Sequence, residues 1–186
     1  MAKKILIALL AVVCLTQFFT SEKWSNQSVI QGDAYGYYAY LPAVLVYQDL
    51  SFEWQRTLPA DQAAKYWLYE GKAGHQLPKM TIGLALIWTP AVVMAHTAAK
   101  IFNADTGWSM PYQLAVGFTG IAFLMLGCWQ LYLFLNKRFS SFISAIAILL
   151  LVVGTNLNFY AVYGAGMGHV YSFALLALLL HHFENW

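Results

Sequence analysis

Asp33 is the first position whose side chain and setting could do chemistry. It lies in the segment GDAYGYYAYLP of residues 32–42, among tyrosines that include Tyr37 and Tyr38. A carboxylate in this setting can act as a general base, or hold an acceptor or a metal ion. The alternative is a simple turn, because Gly-Asp is common turn chemistry. Spacing alone leaves both interpretations open.

Lys79 and His169 are two further candidates. Lys79 begins the segment KMTIG of residues 79–83, where its ammonium can neutralise a lipid phosphate as a point charge. The alternative is a side chain that only extends to the membrane surface. His169 follows a glycine-rich break at residues 164–168. Histidine near a membrane is a functional candidate, and the alternative is a wet loop that tolerates any polar residue.

A metal centre is not predicted from the histidines. His181 and His182 are adjacent but have no third ligand nearby in the sequence, so a metal site is not expected there. The sequence identifies no specific cofactor. It leaves open whether a divalent cation binds beside Asp33.

Composition indicates the kind of protein that must position these residues. The chain has 186 residues, of which 60% are hydrophobic and only 10% charged. Soluble domains carry roughly 25% charged residues, so a soluble enzyme and a disordered protein are excluded. The net charge is only +2, and the basic residues do not form a patch that could bind a phosphate backbone. Nucleic acid is therefore excluded as a partner. We therefore predict an all-α, polytopic membrane protein in contact with membrane lipid.

The positions of the 18 charged residues divide the chain into segments. A spanning helix needs about 20 apolar residues, and charge-free stretches of comparable or greater length occur four times. We predict a signal-anchor helix at 1–20, an outer loop at 21–110, and membrane helices at 111–135, 141–160 and 170–183, the last of them incomplete. Short surface helices are predicted at 41–50 and 61–70. Polar groups at 154–158 are expected to face neighbouring helices.

The apolar segment 81–102 has two interpretations. Basic residues favour the cytoplasmic side, which places both the Lys3-Lys4 pair and the Lys137-Arg138 pair inside. An even number of crossings must then separate the two pairs. This argument favours a juxtamembrane or re-entrant helix at 81–102 on the outer side. The alternative is an ordinary spanning helix. In both cases the N-terminus is expected in the cytoplasm.

The order of these elements resembles the N-terminal portion of a membrane glycosyltransferase of the GT-C superfamily, similar to protein O-mannosyltransferases and aminoarabinose transferases. The resemblance rests on an anchor helix, an early acidic motif in a large outer loop, a helix that begins with lysine, and a long helix ending in the basic turn NKRF at 136–139. Further matching segments are DLSF at 49–52 and MGHVYSF at 167–173.

The resemblance implies transfer of a sugar from a polyprenyl-phosphate donor on the outer face of a bacterial inner membrane. Asp33 matches the family's catalytic acid in the first loop. Under this hypothesis Lys79 binds the lipid phosphate, His169 lines the site, and Tyr37 and Tyr38 complete the substrate-binding residues.

A non-catalytic membrane protein, such as a transporter fragment or an assembly partner, is the alternative. Ala34 favours it, because the family often carries a second acid at that position. The second outer loop at 164–169 also lacks an acid.

Overall fold

The computed structural model describes residues 2–71 and 76–183. Residue 1 of the predicted anchor helix, residues 72–75 of the predicted outer loop and residues 184–186 after the last predicted helix lie outside the described residues. The structure is mostly helical. Its helices are α1 (Ala2–Thr20), α2 (Ala34–Tyr38), α3 (Tyr40–Leu45), α4 (Ala60–Ala63), α5 (Gly83–Ile101), α6 (Met110–Leu135), α7 (Ser141–Gly154), α8 (Leu157–Val162) and α9 (His169–Phe183). Two short strands, β1 (Leu68–Glu70) and β2 (Gln76–Pro78), pair antiparallel.

Within the described residues, three helices are long and apolar enough to cross a membrane. They are α1 over Lys3–Thr20, α5 and α6. The apolar helices α7 and α9 are shorter, with 14 and 15 residues. A mostly helical chain with three such helices agrees with the prediction of an α-helical membrane protein. The 19 residues of α5 have the length of a span, and the side of the membrane on which α5 ends stays a prediction.

The smaller elements differ from the sequence predictions. The helix predicted at 41–50 is α3, which ends at Leu45. The helix predicted at 61–70 is wrong beyond its first residues. The four-residue α4 is followed by a 3-10 turn at Ala64–Tyr66, and the chain then enters β1. Trp67 causes this switch, because its left-handed backbone (φ 54°) ends the helical turn. The helix predicted at 141–160 is interrupted after Gly154 and resumes as α8.

The chain forms two compact units, and unit 1 comprises residues 1–23 and 117–186. In unit 1, Leu10, Cys14 and Phe18 are the buried residues of α1. Their spacing of four puts them on one face of the helix. Asn158 of α8 donates from its Nδ2 to Oε1 of Gln17 over 3.0 Å. The expectation that a polar group of 154–158 faces a neighbouring helix is confirmed for Asn158.

Glycines on α6 allow close packing within unit 1. Gly117 lies against the ring of Phe18, and Gly127 lies against Phe173. At Gly120, a Cβ atom would come 2.9 Å from the Cβ of Ala165. Small residues allow helices in a membrane to approach closely where hydrophobic driving force is weak. The three glycines therefore let neighbouring segments pack closely on α6, a helix that has few polar groups to form hydrogen bonds.

Unit 2, residues 24–116, is organised around Gln113. Oε1 of Gln113 accepts hydrogen bonds from the backbone N–H groups of Val29 (3.1 Å) and Ile30 (2.9 Å). Its Nε2 donates to the carbonyl oxygen of Trp108 over 3.0 Å. Gln113, Val29 and Ile30 are all at most 2% exposed. One buried amide thus satisfies backbone groups from two segments that are not helical.

Replacement of Gln113 by leucine should strongly destabilise the chain. Gln113→Leu leaves two buried N–H groups without an acceptor, and each such group costs about 1–3 kcal/mol. We expect a clear fall in the thermal midpoint, measured by circular dichroism in detergent micelles. Gln31→Leu removes an exposed amide and should change the free energy of unfolding by only about 0.5 kcal/mol. Equal shifts in the two variants would contradict the role given to Gln113.

Cysteine labelling should show on which side α5 ends. In a chain carrying Cys14→Ala and Cys128→Ala, Asp105→Cys should react with an impermeant maleimide from outside, and Lys137→Cys only from inside. Both basic pairs, Lys3-Lys4 and Lys137-Arg138, favour the cytoplasmic side. An even number of crossings then separates them, which leaves position 105 outside if α5 does not cross. Labelling of position 105 only from inside would mean that α5 crosses the membrane.

Candidate functional site

The two motifs of unit 2 that carry Asp33 and Lys79 pack against each other. The Tyr40 hydroxyl donates to the carbonyl oxygen of Met80 over 2.8 Å. Gly36 lies directly against Met80, since a Cβ at Gly36 would come 2.7 Å from the Cγ of Met80. Segments 32–42 and 79–83 are therefore neighbours in space. The absence of a side chain at Gly36 is what lets them approach.

Asp33 lies at the start of α2. Gly32 has a left-handed backbone (φ 58°), which turns the chain just before Asp33. The backbone carbonyl of Asp33 accepts from Gly36 N–H (3.1 Å), but its side chain makes no capping hydrogen bond. The residue is half-buried. Within residues 2–71 and 76–183, no hydrogen bond or ion pair engages the Asp33 carboxylate, so it is available to a ligand.

Tyr37 and Tyr38 occupy different environments. Tyr38 is fully buried, and its hydroxyl donates to the carbonyl oxygen of Gly107 over 2.9 Å. Burial raises the pKa of Tyr38 well above its usual value, so the hydroxyl stays protonated and remains a donor. Gly107 itself needs to be glycine, because its φ is +85°. Tyr37 is half-buried. The structure thus gives Tyr38 a hydrogen bond that anchors α2.

Lys79 is positioned by the paired strands β1 and β2. It follows β2 directly, and its backbone N–H donates to the carbonyl oxygen of Trp67 over 3.1 Å. The ammonium lies 4.6 Å from the centre of the Trp67 ring, a cation–π distance. The residue is exposed. A cation is thus held at the surface of unit 2 beside the segment that contains Asp33.

An apolar groove lies between α3 and α5, next to these residues. Its volume is about 150 Å³, and its lining includes Tyr40, Val44, Ile82, Leu86 and Val93. Tyr40 belongs to the Asp33 motif, and Ile82 comes three residues after Lys79. The sequence did not predict this groove, because it depends on the pairing of α3 with α5. Such a surface suits a hydrocarbon chain.

His169 lies in unit 1, where it begins α9. It is exposed, and its ring stacks on the ring of Tyr160 with centres 3.8 Å apart and planes 7° apart. The glycine-rich segment before it is free of helix between Val162 and His169, as the sequence predicts. Asp33, Tyr37, Tyr38 and Lys79 are all in unit 2.

The segment DLSF contains a structural carboxylate. Oδ1 of Asp49 accepts from the Ser51 N–H (2.8 Å) and from the Ser51 hydroxyl, and Oδ2 accepts from the Trp54 N–H (3.2 Å). These bonds place Trp54 in a cluster of buried residues, where Tyr47 stacks on it at 4.1 Å. The cluster contains Ala39, Ala43, Phe52, Trp54 and Tyr66. The Ser51 hydroxyl holds the pKa of Asp49 below its ordinary value.

Among the described residues, no three His, Cys, Asp or Glu side chains come together as a metal site would require. The chain matches no known family model, no curated protein and no solved structure.

The Asp49 carboxylate should stop stabilising the folded chain in acid. A depressed pKa means that the ionised carboxylate stabilises the folded chain above the unfolded pKa, near 3.8, and that this stabilisation disappears as the pH falls through the lower folded pKa. Asp49→Asn should therefore lower the thermal midpoint at pH 7, and the difference from the unaltered chain should shrink below about pH 3.8. Asp61→Asn, at an exposed position, is the control. A difference that stays constant with pH would contradict the assignment.

Proposed function

We propose that this chain is the membrane-bound part of a GT-C-like glycosyltransferase, which transfers a sugar from a polyprenyl-phosphate donor on the outer face of a bacterial inner membrane. The observation that carries the proposal is the packing of the Asp33 segment against the Lys79 segment beside an apolar groove. An acid, a cation and a hydrocarbon surface are the three features that a lipid-phosphate sugar donor requires.

The groove and Lys79 bind the lipid part of the donor in this proposal. The isoprenoid chain lies between α3 and α5, where each buried Å² of apolar surface contributes about 25 cal/mol. The Tyr40–Met80 hydrogen bond joins the groove to the position after Lys79. The ammonium of Lys79 can therefore neutralise the phosphate at the end of the chain. The rest of the hydrocarbon extends into the bilayer.

Asp33 acts on the acceptor in this proposal. Its free carboxylate takes the proton from an acceptor hydroxyl as the hydroxyl oxygen forms a bond to the anomeric carbon of the sugar. The bond between that carbon and the phosphate oxygen breaks, and the electron pair leaves with the polyprenyl phosphate. Tyr37, on the same short helix and half-buried, lies where it can contact the sugar or the acceptor. The proposal requires no residue of unit 1.

Asp33→Asn should abolish most of the activity without affecting folding. The change keeps the size of the side chain but removes the proton acceptor, and general base catalysis contributes roughly 10²–10⁴-fold. We expect turnover to fall by about that factor, measured as sugar transfer from a polyprenyl-phosphate donor and normalised to monodisperse protein. Asp61→Asn should leave turnover unchanged. Normal specific activity in Asp33→Asn would remove Asp33 from the mechanism.

Lys79→Ala should act mainly on donor binding. The apparent Michaelis constant for the donor should rise more than turnover falls, because the ammonium contacts the lipid phosphate before and during transfer. Lys100→Ala, at an exposed position on α5, removes an equal charge and should leave both constants near normal. If the unaltered, folded chain transfers no sugar at all, the non-catalytic membrane protein is the better description.

A further inference from the structure

Two basic pairs that are distant in the sequence, Lys3-Lys4 and Lys137-Arg138, lie at the same end of unit 1. Phe18, near the end of α1, lies against Gly117 of α6. Further along α6, the centre of the Trp129 ring lies 4.8 Å from the ammonium of Lys3. The helices α1 and α6 therefore run antiparallel. The first turn of α1 is thus placed beside the last turns of α6, after which the second basic pair follows directly.

Aromatic rings hold two of the four cations. The Lys3 ammonium lies at a cation–π distance from Trp129, which is half-buried on α6. The guanidinium carbon of Arg138 lies 4.9 Å from the centre of the Phe134 ring. These contacts restrict two long side chains before any ligand binds, which lowers the entropic cost of binding. Lys4, like both residues of the second pair, is exposed.

No acid among the described residues of unit 1 balances these charges at their end. Within residues 2–23 and 117–183, the one acid is Glu22, which follows α1 at its opposite end. Glu184 lies outside the described residues. Positive charge is therefore concentrated at this end of unit 1, and such a surface attracts an anionic partner.

Exposed apolar side chains adjoin the basic residues. Ile5 and Leu9 on α1 are each more than half exposed, as are Phe142 and Ile143 in the first turn of α7. The helices α1 and α7 pack on each other. A water-soluble anion would use only the charges of this surface. An anionic head that carries hydrocarbon chains would use both the charges and the apolar side chains.

We propose that this end of unit 1 binds the phosphate group of an anionic glycerophospholipid, such as phosphatidylglycerol. The guanidinium of Arg138 donates paired hydrogen bonds to phosphate oxygens, and the lysines act as point charges. The acyl chains lie along the exposed apolar side chains of α1 and α7. The site lies wholly in unit 1 and uses no residue of the transferase proposal, so each proposal can fail without the other.

Lipid binding can be measured on the full chain in nonionic detergent micelles by native mass spectrometry. The chain is titrated with phosphatidylglycerol, with phosphatidylcholine, whose headgroup has no net charge, and with glycerol 1-phosphate, which has no acyl chains. We expect phosphatidylglycerol to bind at least about tenfold more tightly than either of the others, because two or more cations contact its headgroup. Equal affinity for phosphatidylcholine would overturn the proposal. Equal affinity for glycerol 1-phosphate would also overturn it, because the acyl chains would then contribute nothing.

Charge variants test which cations contact the headgroup. Lys4→Gln and Lys137→Gln should each weaken phosphatidylglycerol by about fivefold and leave phosphatidylcholine unchanged, since one basic residue near a membrane surface contributes about that factor. Both residues are exposed, so the fold should be kept. Lys100→Gln removes an equal charge from an exposed position of unit 2 and should bind normally. Equal losses in all three variants would reflect net charge alone and would overturn the site.

A variant that keeps the net charge tests the geometry. Trp129→Leu removes the ring that holds Lys3 and should weaken phosphatidylglycerol by about two- to fivefold, the range of an exposed cation–π contact. Trp129→Phe keeps an aromatic face and should restore most of the affinity. Full affinity in Trp129→Leu would overturn the proposal, because the pairing of α1 with α6 would then play no part in lipid binding.

Discussion

The amide of Gln113 is the interaction on which unit 2 depends. Segments with little regular structure expose backbone N–H and C=O groups, and when they are buried these groups need partners. Gln113 supplies a partner to Val29, Ile30 and Trp108 from the first turn of α6. Trp108 then lies against Tyr35, Tyr38 and Tyr66. A single polar side chain thereby sets the positions of the rings that surround α2.

The short elements of unit 2 could not exist alone. Isolated helices shorter than about 12–15 residues are marginal in water, and α2 and α3 have five and six residues. Packing replaces the missing helical cooperativity. Phe52, Trp54 and Tyr66 surround the small residues Ala39 and Ala43, which lie at 0% exposure. The motif that carries Asp33 is therefore held by aromatic packing on one side and by the Met80 contacts on the other, so its carboxylate needs no bond of its own.

Local patterns predicted the features that depend on local physics. The basic turn follows α6, and the glycine-rich break separates α8 from α9. Features that depend on distant partners were not predictable. Tyr37 and Tyr38 are adjacent and chemically equal, and only the position of Gly107 decides that Tyr38 is the anchored one. The helix predicted at 61–70 includes the strand Leu68–Glu70, because local propensity does not show its pairing with Gln76–Pro78. The apolar groove and the rings around Trp108 likewise depend on tertiary packing.

The pairing of Gln17 with Asn158 has a consequence for how the chain is made. The two residues are separated by 141 positions. During synthesis α1 emerges first, so the amide of Gln17 is made long before its partner is translated. Until Asn158 is made, the Gln17 amide has to form its hydrogen bonds with other groups, such as water. The Gln17–Asn158 hydrogen bond therefore forms only after most of the chain has been synthesised, so α1 reaches its final packing late.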